Sequence, residues 1–470
     1  MVGAGPTGLA VASGLGRRSV LVLESGDVAG RPGVADLVAG ENLGDAYDGA
    51  SAGRSRGLGG TANLWNTPLP DGAMGAKYLP LDASDLDQWT GRGLPYGPDD
   101  LAPYYRQAQA LCGLGPFNYE AGNWPPHQPD MLGHFAPGIY QLGAAAVFAR
   151  SVPTRLAAEG RVRIATGATV VGFEWAPGGR AIDAVRIATR DGAAHSLRVG
   201  SVALAAGGIE NPRLLLATLA ESRSPWLGRG LMEHPRDYSM VLEPRPGALE
   251  RLRFFDRWKA SDGTVGIGRL GLGPESRSEL DLPNASISLL PRPAPSLRNQ
   301  LLRAVPRSRQ RWMGGYGWSE TRSETNRVGP IGIVVNLEQR PHRENRVVLS
   351  GRRDRLGMPL PAIDWRWRED EQQGLDRLRS VVAAELEACG LGRVRFQPGL
   401  RPDPNAFHPA GTTRMALDPT DGVVDPDGRV HGTDNLYVTG ASTFPIAGFA
   451  NPTLTAVALA LRLASHLTHR

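Results

Sequence analysis

The chain opens with two apolar patterns in succession. Glycines at positions 3, 5 and 8 lead into a stretch over 7–16 that predicts a helix, and SVLVLE (19–24) then runs apolar without alternation, as a buried parallel strand does. Residues 26–60 are Gly-rich and aperiodic, which predicts an extended loop crossing a ligand surface. DDLAPYYRQAQALCG (99–113) predicts a helix capped by Asp99 or Asp100, and a segment near 137–158 is also expected to be helical. VRIATGATVVGFEW (162–175) and AIDAVRIAT (181–189) predict strands of a hairpin or meander. SVALAAGG (201–208) predicts a second buried strand that IENPRLLLAT continues into a helix. Between 236 and 400 the pattern changes. Short alternating strands (ASISLL, IGIVVNLEQ, NRVVLS) are separated by Pro- and Arg-rich loops, with a helix over 369–390 and a polar, Arg-rich loop over 291–330. The last segment returns to a strand, NLYV, and a long apolar helix.

A length of 470 residues suits two lobes or one large composite fold, and 41% hydrophobic residues supply a sizeable core. Net charge is only +5, and no basic block interleaved with aromatics appears, so no nucleic-acid partner is expected. Of the 52 basic residues only Lys77 and Lys259 are lysines, a bias that reflects a GC-rich coding sequence more simply than a function. Cys112 and Cys389 cannot build a disulfide framework or a zinc site, so no metal is expected and a reduced, cytoplasmic setting fits. No stretch is long and apolar enough to span a membrane, and no signal-peptide pattern is visible.

The opening MVGAGPTG holds a GxGxxG loop. Gly3 makes the tight turn, Gly5 lets backbone approach a pyrophosphate, and Gly8 lets the helix pack on the strand. Glu24 follows Gly3 by 21 residues and ends the next strand, where an acid accepts hydrogen bonds from an adenosine ribose. The loop alone does not separate NAD from FAD. Only Met1 and Val2 precede Gly3, so the first strand is nearly missing, and the expectation is that the natural start lies upstream of Met1.

Five motifs in order then resemble the glucose–methanol–choline (GMC) oxidoreductases, in particular bacterial members that oxidise sugars and aminoglycosides. They are GLGGTANLWN (57–66), LPYGPDDLAPYYRQAQALCGLG, AAGGIENPRLLLAT, GRGLMEHP (228–235) with NRVVLS (345–350), and the C-terminal His and Asn-Pro-Thr motifs. The resemblance implies a Rossmann-like α/β FAD-binding domain joined to an α+β substrate domain on a mainly antiparallel sheet. The FAD-binding domain would comprise 1–75, 137–235 and 401–470, and the substrate domain and connecting segments 76–136 and 236–400. It implies oxidation of an alcohol and places Gly59, Gly60, Thr61 and Asn63 at FAD phosphate or ribityl groups, with backbone of Val170 at adenine. Gly440 and Ala441, and Pro452 and Thr453 of the Asn-Pro-Thr motif, would lie against the cofactor. Some relatives attach FAD through a histidine in the Gly-Gly loop; Asn63, Leu64 and Trp65 stand here instead, so noncovalent FAD is expected.

Removing a hydride and a proton from CH–OH requires a base, because FAD takes only the hydride. His408, three residues before the glycine of the Gly-Thr-Thr turn, matches the family's active-site histidine, and neutral imidazole is a competent acceptor. Asn451 matches the second position; an amide orients the substrate oxygen but cannot act as a base. Asn451 also reads as a helix N-cap before Pro452. His234 and His431 read as structural, and Glu210 and Arg213 suit capping or packing at least as well as catalysis. The expected substrate is a sugar, glycoside or aminocyclitol-like polyol, with the electron acceptor open. The alternatives are a non-redox FAD-containing lyase and an inactive FAD-binding protein.

Overall fold

Two main sheets, one parallel and one mainly antiparallel, lie in the two largest clusters of buried apolar residues. The computed structural model describes residues 1–16, 18–28, 35–124, 133–219, 224–293 and 328–469. In the first sheet Val20–Leu23 pairs in parallel with Val162–Ala165, and Val202–Leu204 pairs in parallel with Leu436–Val438. Val2 joins the two pairs through parallel bridges to Leu23 and Leu204. Its N–H donates to the Ala203 carbonyl at 2.9 Å, and its own carbonyl accepts from Ala205 at 2.8 Å. The missing first strand is therefore a short stub, yet it keeps the sheet continuous. The helices Pro6–Gly14 and Thr453–His469 lie so close that a Cβ on Gly14 would stand 2.7 Å from the Ala464 Cβ.

The expected hairpin starts later than its sequence suggested. Val162–Ala165 belongs to the parallel sheet, and a separate antiparallel meander runs through Ala168–Trp175, Ile182–Thr189 and Ala194–Arg198. Gly167, at φ 68°, separates the two, a turn conformation an apolar count does not reveal.

The second sheet is mainly antiparallel. Its strand order is Gly392–Arg395, Arg236–Pro244, Val328–Leu337, Ala285–Pro293, Val265–Leu272, Phe135–Ala144, Met74–Tyr78 and Thr67–Pro68, with Arg257–Lys259 paired to Val265–Leu272. One face is apolar: Ile287, Leu289, Ile333, Val335 and Leu337 pack with Leu375, Leu378, Val382 and Leu386 of the helix Glu369–Ala388.

The helix expected near 137–158 holds only for its second half. Phe135–Ala144 is a strand of the second sheet, and helical backbone begins at Val147. Pro137, Gly138 and Gly143 all oppose a helix there, while the alanines at 144–146 suggested one. The helix Pro98–Leu111 forms as expected, but Gly97 occupies its cap and Asp100 accepts the Gly97 N–H at 2.9 Å. Most of the Arg-rich loop expected over 291–330 lies outside the described residues. No described helix is long and apolar enough to cross a membrane.

Candidate active site

Three glycine-rich segments meet at the carboxyl ends of the parallel strands. Gly5 stands at the N-cap of Pro6–Gly14 without a capping side chain, so the first N–H groups of that helix point outward unclaimed by a cap. A Cβ on Gly8 would fall 2.0 Å from the Gly3 carbonyl oxygen, and one on Gly60 2.9 Å from the Gly5 Cα. The Gly59 N–H donates to the Ala4 carbonyl at 2.9 Å. From the C-terminal side, Gly440 (φ 106°) faces the Thr7 hydroxyl, 3.5 Å from where its Cβ would be. Asn63 bonds within its own loop, to the carbonyls of Leu58 and Gly60, both at 3.0 Å.

Glu24 ties these segments together. Its Oε2 accepts from the Ala4 N–H at 2.8 Å, and its Oε1 accepts from Gly26 and Gly57, both at 2.9 Å. Burial raises its pKa, and the three N–H donors and Arg56 partly oppose that shift. Oε2 keeps a lone pair for a further donor such as a ribose hydroxyl. Beyond it, a cleft of about 520 Å³ is lined by Asp27, Thr166, Gly167, Thr189, Arg190 and Asp191. Val170 follows Gly167 of that lining by three residues, at an irregularity in the pairing of Ala168–Trp175 with Ile182–Thr189. An anion-accepting helix end, glycines that admit no side chain, and an acid at the strand end fit a dinucleotide such as FAD.

A second glycine joint fixes the catalytic loop. Thr412 Oγ1 donates to the Gly208 carbonyl at 2.6 Å, and Asn211 Nδ2 donates to Ser442 Oγ at 2.9 Å. A Cβ on Gly208 would fall 2.2 Å from the carbonyl oxygen of Pro409, the neighbour of His408. We expect Gly208→Ala to cost about 1–3 kcal/mol as an overpacked site. Denaturant unfolding should show that loss, and flavin reduction by substrate should slow with it.

His408 does not stand alone. Its ring lies 5.2 Å, centroid to centroid, from that of His234, edge to face. One buried carboxylate organises both: Glu233 Oε2 accepts the His408 N–H at 2.9 Å and the His234 N–H at 3.2 Å. Glu233 Oε1 accepts the Tyr47 hydroxyl, and the Glu233 N–H donates to Gln339 Oε1 at 3.1 Å. Burial pushes the Glu233 carboxyl up to about 7 against these donors. Burial likewise holds His408 well below the ordinary imidazole range, helped by His234 and Arg236. Burial lowers His234 to about 4. Both rings are therefore neutral at pH 7. His408 Nδ1 is buried without a hydrogen-bond partner among the described residues, whereas the His234 ring faces the backbone of Ala447 and Gly448. His234 had read as structural; its pairing with His408 is a tertiary contact that the Glu-His-Pro sequence alone does not reveal.

Asn451 is half-buried just outside the last helix. The first bond of that helix runs from the Ala456 N–H to the Pro452 carbonyl at 2.9 Å, so Pro452, not Asn451, takes the cap position. The Asn451 amide makes no hydrogen bond to a described residue and is not used as a cap. Phe449, two residues earlier, packs under the Arg269 guanidinium at 5.2 Å from the ring centre. That contact brings the loop before Asn451 against the second sheet.

Glu210 is structural. It pairs with Arg54, with Arg56 at 2.8 Å and with Arg213 at 3.0 Å, and Arg213 also reaches Asp354 at 2.6 Å. The three guanidinium groups hold its carboxyl down at about 2 despite burial. This knot fastens residues 54–56 immediately before the Gly-Gly loop.

Residues 341–460 match the family model described as GMC oxidoreductase. Over that C-terminal segment the chain is similar to the GMC oxidoreductases. Across most of its length the chain is similar to two Streptomyces enzymes. It is 29% identical to 6'''-hydroxyparomomycin C oxidase of Streptomyces lividus, over 80% of the chain and 66% of that protein. It is 26% identical to paromamine 6'-oxidase of Streptomyces fradiae, over 86% of the chain and 78% of that protein. The chain thus spans just under two thirds of the first relative's length. Among solved structures, pyridoxine 4-oxidase from Mesorbium loti shares the fold at a TM-score of 0.63 and 18% identity, covering 100% of the chain and 98% of that structure. A GMC oxidoreductase binds FAD, in agreement with the glycine cradle at the parallel strands.

Proposed function

We propose that this protein oxidises an alcohol group of a sugar-like substrate to the carbonyl, with noncovalent FAD as hydride acceptor and His408 as proton acceptor. The observation that carries the reading is the neutral His408–His234 pair, set by one carboxylate at the junction of the cofactor cradle and the second sheet. The two aminoglycoside oxidases among its relatives support a polyol substrate.

Bound FAD supplies the two-electron acceptor. His408 takes the hydroxyl proton on a ring nitrogen as the carbinol hydrogen departs with its electron pair, so the alcohol loses two electrons and two hydrogens overall. Asn451, its amide uncommitted, orients the substrate oxygen. Glu233 holds the backbone of both histidines and so fixes the distance between the rings. Gly3, Gly5 and Gly8 would accommodate the pyrophosphate with Gly59 and Gly60 opposite, and Glu24 would accept from the ribose. Thr61, Asn63, Gly440, Ala441, Pro452 and Thr453 would border the rest of the cofactor. Backbone at Val170 and the cleft beside it would receive adenine. Leu64 and Trp65 beside Asn63 offer no nucleophile for a covalent link to the flavin.

The test is absorbance of the purified holoprotein before and after anaerobic addition of sugars. We expect flavin bands that bleach with a sugar alcohol, and FAD that leaves the polypeptide on acid precipitation. Bands that no sugar or simple alcohol bleaches would count against the oxidation; yellow precipitated protein would count against the noncovalent link.

A further inference from the structure

The second sheet turns one face to the apolar helix Glu369–Ala388; the residues of its other face follow from the strand register. Arg236 stands opposite Asn336, Asn336 opposite Ser286, and Ser286 opposite Gly271. Two residues along, Arg269 shares that face, and it stands opposite Gly138. Tyr140 and Arg257 both face Ile267, and Lys77 faces Leu142, two residues from Tyr140. Cross-strand partners point to the same side, so one face gathers Lys77, Arg236, Arg257 and Arg269.

This face covers the candidate active site. Arg269 packs on Phe449, beside Asn451, and Arg236 is close enough to His408, His234 and Lys77 to disfavour a proton on each. The Lys77 ammonium lies 5.1 Å from the centre of the Tyr140 ring, whose hydroxyl bonds Ser286 at 2.7 Å.

Among the described residues the cations are poorly neutralised. Asp82 and Asp85 act on Arg269, Asp256 acts on Arg257, and Glu233 faces Arg236. The charges that act on Lys77 are Arg236 and Arg257, both of its own sign, and it has no ion-pair partner among the described residues. Burial, with Arg236 and Arg257, lowers Lys77 to about 7, so its proton is held weakly until an anion joins the three groups. The amine-bearing substrates named for the Streptomyces relatives would meet repulsion here.

We propose that this face is an anion-binding wall, and that the substrate of the His408 site is a sugar carrying a carboxylate or a phosphate, gripped by Lys77 and Arg236. The proposal narrows the oxidoreductase reading above. The sugar's anionic end contacts the sheet, and its carbinol lies toward His408 and Asn451.

The experiment titrates oxidised holoprotein with D-glucuronate, D-glucose 6-phosphate, D-glucose and D-glucosamine, following the perturbation of the flavin bands, then repeats each addition anaerobically. An anion is expected to bind about tenfold to a hundredfold more tightly than D-glucose, the range of a charge-assisted hydrogen bond. D-Glucosamine should bind weakest, and whether glucuronate or the phosphate binds better identifies the group. Lys77→Met should retain FAD and its spectrum while losing most of the preference for the anion. Tighter binding of D-glucosamine than of either anion would overturn the proposal. So would a Lys77→Met protein that keeps the anion preference and changes only the flavin's reduction potential, because the cations would then serve the cofactor. Anions that bind without bleaching the flavin, with no other sugar bleaching it, would instead remove the oxidation reading and leave the anion wall standing.

Discussion

His408→Ala is expected to purify with FAD bound and to lose substrate-driven flavin reduction by about 10²–10⁴-fold, the contribution of a positioned general base. The cofactor cradle does not include the imidazole, and the backbone N–H that Glu233 accepts survives the substitution. The pH profile gives an independent check. Burial keeps His408 well below its ordinary value, so the neutral form, which accepts the proton, persists as pH falls through 6.5. His408 itself should therefore cause no loss at that ordinary imidazole pKa, and any change near pH 7 belongs to Glu233, which burial raises to about 7. Stopped-flow bleaching under anaerobic conditions reads both effects. A variant that reduces at the native rate would remove His408 from the chemistry.

Glu210→Ala should give the largest loss of stability, about 3–5 kcal/mol, because it strands buried cations rather than deleting a whole ion network. Arg54, Arg56 and Arg213 would lose a shared partner, with side chains only 13%, 14% and 3% exposed. FAD affinity should fall too, since residues 54–56 lead directly into the Gly-Gly loop. The sign with pH is fixed by the lowered carboxyl. Its folded value, about 2, lies below the ordinary 4.5, so its stabilisation is complete above 4.5 and lost as pH falls toward 2. Urea unfolding between pH 7 and 4 should find the variant weaker throughout. If native and variant midpoints coincide, the network does not hold the fold.

Local patterns carried far in this chain. The glycine loop, its helix and the strand ending at Glu24 were legible because each has a fixed spacing. The parallel pairing of Val202–Leu204 with Leu436–Val438 joins segments more than two hundred residues apart, and the motif order pointed to that meeting. Three things were not legible. The strand Phe135–Ala144 was hidden by an alanine run that favours helix locally, while its partner Val265–Leu272 lies far away in sequence. His234 carried no local sign of its pairing, since Glu233 serves two backbone N–H groups from segments 174 residues apart, residues 234 and 408. The cap of the last helix moved by one residue, a shift within the ordinary play of helix ends. The basic face was invisible as well, because alternate residues on separate strands meet only once the register is set.

The most direct test uses a sugar substrate bearing deuterium on the carbon to be oxidised, mixed anaerobically with the holoprotein. The account predicts that bleaching slows against the protiated sugar and that one carbonyl forms per flavin reduced. Release of a cleaved product with the flavin still oxidised would contradict it.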